Sequence, residues 1–153
     1  MRPALFPCRH VRSGPPALRA LQSIETMAIR TELSLRLPNS PGALADVCGV
    51  LAEERVRVQA LMLESGGTLR LLVDNPVRGA GVLRARRHAV TETDVVVTSV
   101  SSAPGGLGAV LALVRSAGVN VEYAYTAAPE ASGTALAILG VDDAVKAGMA
   151  AGM

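Results

Sequence analysis

Residues 38–44 read Pro-Asn-Ser-Pro-Gly-Ala-Leu, and residues 101–107 read Ser-Ser-Ala-Pro-Gly-Gly-Leu. Each segment lies between a strand-like run and a helix-like run, and Pro104 follows Pro41 by 63 positions. The same offset pairs Leu44 with Leu107, Val47 with Val110, Leu51 with Val114, Val56 with Val119 and Val58 with Val121. Five apolar positions held in register through a helix and into the next strand mark an internal duplication. Neither copy is large enough to bury much core alone, so the two are expected to pack together.

The pattern within each copy is α/β. Residues 31–37 alternate polar and apolar, which places Leu33, Leu35 and Leu37 on one face of a half-buried strand. A turn follows over 38–42, where Ser40 can cap and Pro41 can open the helical turn. Leu44, Val47, Cys48 and Leu51 then recur at helical spacing through 43–54. The spacing predicts strands over 56–63 and 68–73 around the Glu64–Gly67 turn, then a helix from Pro76 with Val77, Val82, Leu83 and Ala85 as its inner residues. A closing strand over 89–94 runs directly into the second copy: strand 95–100, turn 101–106, helix 107–117, strands 119–126 and 134–139, helix 142–149. The first unit reads βαββαβ and the second βαββα. A missing closing strand leaves a sheet edge to be covered.

Charge argues against nucleic acid. The formal net charge is +2, but residues 1–27 hold +3 of it and residues 28–153 are at −1. With one Phe, two Tyr and no Trp, the chain also lacks stacking platforms for bases. Residues 1–27 contain four prolines and no apolar period, so they read as a disordered or non-native extension, with Met27 as a natural start. No apolar run reaches the ~20 residues of a membrane helix, and a soluble, cytoplasmic product is expected. Cys8 and Cys48 offer neither metal spacing nor a disulfide framework; Cys48 falls on an apolar helix stripe as a buried free thiol. His10 and His88 have no ligand-spaced neighbours, so neither a metal nor another cofactor is implied.

No catalytic set emerges. Glu53 and Glu54 end an exposed helix face, and Asp142 and Asp143 read as caps of a short helix. The Arg84, Arg86, Arg87 and His88 cluster suits a helix C-terminus. Gly105-Gly106 lacks the lysine and the longer glycine pattern of a phosphate loop. The chain reads as a binding module and not as an enzyme.

A βαββαβ unit with Pro-Gly-x-Leu after its first strand resembles the ACT domain; here the motif reads Pro41-Gly42-Ala43-Leu44 and Pro104-Gly105-Gly106-Leu107. The resemblance covers about 30–150 and is greatest to stand-alone tandem, amino-acid-binding members. It implies an α+β fold of two ferredoxin-like units, residues 28–94 and 95–153, with antiparallel sheets and helices on one face. It also implies a small regulatory ligand at an interface between units, near the turn after the first strand. By position the ligand-binding residues are Asn39, Ser40, Pro41, Gly42, Ala43 and Leu44, then Ala103, Pro104, Gly105, Gly106 and Leu107, with Asn120 at the start of a second strand. Copy one has Arg57 at the position of Asn120, and copy two has Ser102 at the position of Asn39.

Elementary chemistry supports a site at these turns. Glycine permits close backbone approach, and first-turn N–H groups at a helix start suit a carboxylate. Asn39 or Asn120 can bond an amino-acid head group. A tight turn alone equally explains Gly42 and Gly105, and an interaction module without ligand is the alternative function. A homodimer or larger assembly, with a possible partner enzyme, is expected because Leu33, Leu35 and Leu37 form an apolar face and the second copy lacks a strand.

Overall fold

Alternating side chains, with glycine in several of the turns, produce in the computed structural model a single six-stranded antiparallel sheet with four helices among the described residues. The structure describes residues 25–127 and 133–150. In chain order the elements are β1 (Glu25–Arg36), α1 (Ala43–Glu53), β2 (Val58–Leu63), β3 (Thr68–Val73) and α2 (Pro76–Ala85). They continue as β4 (Thr91–Ser101), α3 (Gly106–Ser116), β5 (Val121–Ala127), β6 (Thr134–Val141) and α4 (Ala144–Ala150).

The strand order β2-β3-β1-β4-β6-β5 explains how the truncated second copy is completed. Within unit one the order is β2-β3-β1-β4. Unit two repeats it as β5-β6-β4-β1, with β1 in the place of its closing strand. β1 and β4 pair from Ala28↔Val97 to Ser34↔Thr91, so each serves both copies. The edge expected from the missing strand is therefore filled from within the chain. The anticipated strands 89–94 and 95–100 are one strand, and Asp94 and Val95 lie in its middle. β1 also starts earlier than its alternation predicts. Glu25 to Met27 fall in it, and Met27 is buried against Val96, Val100 and α3 residues. The expectation for residues 1–24 lies outside the described residues, as do Cys8, His10 and the turn over 128–132.

All four helices lie on one face. Leu33, Leu35 and Leu37 pack with Val47 and Leu51 of α1, Leu83 of α2 and Leu69 and Leu71 of β3. The equivalent cluster of the second unit joins Val96, Val100 and Leu139 to Val110 and Val114 of α3 and Ala144 and Ala147 of α4. The leucine face of β1 is thus fully covered within the chain and offers nothing to a partner. α2 departs in part from its expected phase: Leu83 faces inward as expected, but with Gly79 and Ala80, while Val77 is 80% exposed and Ala85 is exposed. Gly79 sets that phase, because a Cβ there would lie 3.1 Å from Leu33 Cδ1, so the helix backbone seats directly on β1. Cys48 is half-buried and free.

Among the described residues the opposite face carries no helix, yet its centre is buried. The edge strands β2 and β5 come within 8 Å of each other by Cα, so the sheet curls until its two ends nearly meet. Ala60, Leu72, Val95, Val97 and Ile138 line the interior of this curl, with Tyr123 and Tyr125 against them. Glu32, which alternation places opposite the leucines, is 0% exposed inside it.

Candidate functional site

The turn after β1 and the β2–β3 turn enclose a cavity of about 620 Å3 at one end of the sheet. Leu37, Pro38, Asn39, Ser40, Gly42, Ala43, Leu44 and Ala45 line one side, and Leu63, Glu64, Ser65 and Gly67 the other. A backbone bond from Leu37 N–H to Gly67 O (2.8 Å) ties the turns together. Pro41 holds the turn without lining the cavity. Gly42 is the N-cap of α1 with φ 89°, a left-handed conformation that disfavours every side chain, and a Cβ there would meet nothing within 4 Å. The turn requires this glycine, and the space above it is open. Ser40 does not cap through its side chain; its carbonyl accepts from Ala43 N–H at 3.3 Å. The α1 start carries first-turn N–H groups and the positive end of the helix dipole, which suit an anionic group.

The second turn is built differently. Gly105 repeats the left-handed N-cap at φ 91°. Gly106, the counterpart of Ala43, is pressed against β4: a Cβ there would lie 2.1 Å from Ser101 O. Ala103 N–H bonds the Ser101 hydroxyl at 3.2 Å, and Ser102 N–H reaches Gly133 O at 3.0 Å. Pro104 lies exposed in that turn, and Leu107 in α3 is 38% exposed. Asn120 does not join these residues. Its strand runs antiparallel to β6, which puts Asn120 beside Asp142, at the end of the sheet remote from Gly105 and shared with the Asn39–Gly42 turn. Its backbone N–H donates to Asp142 Oδ1 at 3.0 Å. Arg57 and Asp74 repeat that contact in unit one, also at 3.0 Å.

Sequence reasoning missed the most polar constellation of the described residues. Inside the curl, Tyr123 Oη donates to Glu32 Oε2 at 2.5 Å and Tyr125 Oη to Oε1 at 2.6 Å. Arg70 Nη1 lies 3.4 Å from Glu32 Oε2, its guanidinium stacks 3.8 Å from the Tyr123 ring centre, and its Nε binds Glu64 Oε1 at 2.8 Å. Gly140 makes room for this arrangement, because the Tyr123 ring lies flat over its Cα. Burial, followed by the hydrogen bond to Glu32 and its negative charge, raises both tyrosine pKa values far above the ordinary value near 10. The native state therefore holds protons that an unfolded tyrosine releases. This stabilisation is complete below about pH 10 and is lost as pH rises toward the raised values. The one available signal was that both tyrosines sit on alternate residues of one strand, on the face that also holds Glu32 once the sheet curls.

Several of the charged groups singled out in the sequence have structural roles. Glu53 and Glu54 pair with Arg86 and Arg78, Arg84 with Glu92, and Asp143 Oδ1 accepts from Lys146 N–H at the start of α4. Among the described residues no group of three or more His, Cys, Asp or Glu could hold a metal, and no helix is long and apolar enough to cross a membrane.

The duplicated topology, with glycine turns that open its first helices, defines a tandem α+β fold of two βαββα units. The chain has an ACT-domain fold, with two ferredoxin-like units that share one sheet. It is similar to protein BT0572 from Bacteroides thetaiotaomicron at 31% identity and a TM-score of 0.74, over 81% of this chain and 87% of that one. It shares its fold with the regulatory subunit of aspartate kinase from Thermus thermophilus in a ligand-free form, at 20% identity and a TM-score of 0.61, over 84% and 96% of the two chains. Escherichia coli aspartokinase III in complex with lysine and aspartate matches at 19% identity and a TM-score of 0.51, over 84% of this chain and 32% of that one. The sequence matches no family model and no curated protein.

Proposed function

We propose that the protein is a regulatory module whose cavity over the Asn39–Leu44 turn binds an amino acid. The observation that carries this reading is the cavity itself, whose lining brings Gly42 at the α1 start together with Asn39 and Glu64. The ligand carboxylate would face the α1 first turn, and its ammonium group would face Asn39 and Glu64. Similarity to regulatory subunits and domains supports a regulatory role over catalysis. The tight packing of Gly106 on Ser101 favours a scaffolding role for the second turn, as in an interaction module. A thermal-shift screen of the chain against the twenty amino acids tests the reading, with selective stabilisation expected. Asn39→Ala should then weaken the hit by about 1–3 kcal/mol in calorimetry, since the amide is exposed and its loss leaves the fold intact. No stabilising amino acid, or full affinity in Asn39→Ala and Glu64→Gln alike, refutes the cavity as that site.

A partner surface adjoins the cavity. Leu61 and Leu63, on the edge strand β2, are 43% and 45% exposed, and Leu63 borders the cavity. An apolar edge of this kind suits association with a second copy or with a regulated enzyme. Sedimentation at low micromolar concentration should give a dimer of the wild-type chain and a monomer of the Leu61→Lys, Leu63→Lys variant; a wild-type monomer discards self-association through this edge.

A further inference from the structure

The cavity and the half-buried tyrosine cluster are joined by one arginine. Glu64 lines the cavity and binds Arg70 Nε; Arg70 Nη1 continues to Glu32, and Glu32 holds Tyr123 and Tyr125 of the other unit. From β5 to β1 these bonds cross the interior of the curl over β6 and β4, and they draw in the edge whose Cα atoms come within 8 Å of β2. We propose that Glu64, Arg70, Glu32, Tyr123 and Tyr125 form a relay that transmits the charge state of the cavity to the closure between the two units. Its regulatory use rests on the cavity being a ligand site; the relay itself does not.

The physical basis is that Arg70 is divided between two carboxylates. Neutralising Glu64, by substitution or by a ligand ammonium group, releases the guanidinium to Glu32 and the Tyr123 ring. A positive charge brought nearer to the hydroxyls favours tyrosinate, so the tyrosines lose their proton more readily and the clasp loosens at lower pH. Other groups leave this logic intact. Arg30, two residues from Glu32 on the same face of β1, directs its guanidinium to Val73 O at 3.5 Å. β4 and β6 face the cluster with Val95, Val97, Ile138 and Gly140, and β2 with Ala60 and Met62, none of them charged.

The chain carries only two tyrosines and no tryptophan, so tyrosinate absorbance of the full-length protein reports this cluster alone. An alkaline titration of Glu64→Gln should show tyrosinate appearing about one pH unit below wild type, the scale expected for a nearby opposite charge. Glu54→Gln, which removes a surface pair with Arg78 away from the relay, should titrate as wild type. An onset in Glu64→Gln equal to wild type overturns the proposal, and so does an equal shift in Glu54→Gln, which would report stability alone. An L-amino acid that stabilises the chain in the thermal screen should reproduce the Glu64→Gln shift in the wild type. A stabilising amino acid that leaves the onset unmoved overturns the relay and leaves the binding site standing. A shift in Glu64→Gln with no amino acid bound sustains the relay and removes the ligand reading.

Discussion

Glu32→Ala is expected to destabilise the protein by about 3–5 kcal/mol, the range for breaking a buried charged cluster by removing one partner. The carboxylate is 0% exposed and accepts from two tyrosine hydroxyls, with Arg70 beside it. Its loss leaves two half-buried O–H donors without their acceptor, and Arg70 with Glu64 alone as its ion-pair partner in this cluster. Urea unfolding followed by circular dichroism measures the effect. Tyr125→Phe, which removes one donor and keeps the ring, should cost about 1.5–3 kcal/mol, as for a hydrogen bond to a charged group. A solvated Glu32, as simple strand alternation implies, would give a loss of about 0.5 kcal/mol or less, and that outcome would show the sheet to be open.

Gly140→Val should cost about 3 kcal/mol or more, because it combines overpacking with loss of a charged hydrogen bond. A Cβ on Gly140 would lie 2.1 Å from Tyr123 Cζ and 2.2 Å from its Cε1. The ring cannot slide aside cheaply: its hydroxyl is held by Glu32 and its face by Arg70. Tyr123→Ala removes the obstacle, so the double variant should be much less destabilised than the two single losses added together. Gly49→Ala in α1 is the contrasting case. Its Cβ meets nothing within 4 Å, and the exchange should be neutral or slightly stabilising. A Gly140→Val chain as stable as wild type would mean that Tyr123 does not rest on β6.

Three sites show where local pattern was sufficient and where it was not. The turns at Gly42 and Gly105 were legible from the repeated Pro-Gly pair between a strand and a helix, but the glycine, and not Ser40, proved to be the N-cap, because its left-handed φ turns the chain into the helix. The two helix-facing clusters were legible for a similar reason: periods of two and 3.6 on neighbouring segments leave one way to bury both stripes. On α2 Leu83 was legible but Gly79 was not, since it carries no apolar signal and its role depends on how near β1 lies.

The amino-acid sequence by itself determined the duplication, the order of strands and helices, the turn glycines and the leucine and valine stripes under the helices, because each follows from interactions between residues near in the chain. Only the tertiary structure decided that β1 completes the second unit, that Asn120 lies at the opposite end from Gly105, and that Glu32 is buried. These depend on strand order and on how far the sheet curls, which bring together residues as distant as Glu32 and Tyr125. A polar residue in an alternating strand reads as solvent-facing until a second surface closes over it. Here that surface is the far edge of the same sheet, and no local pattern around Glu32 encodes it.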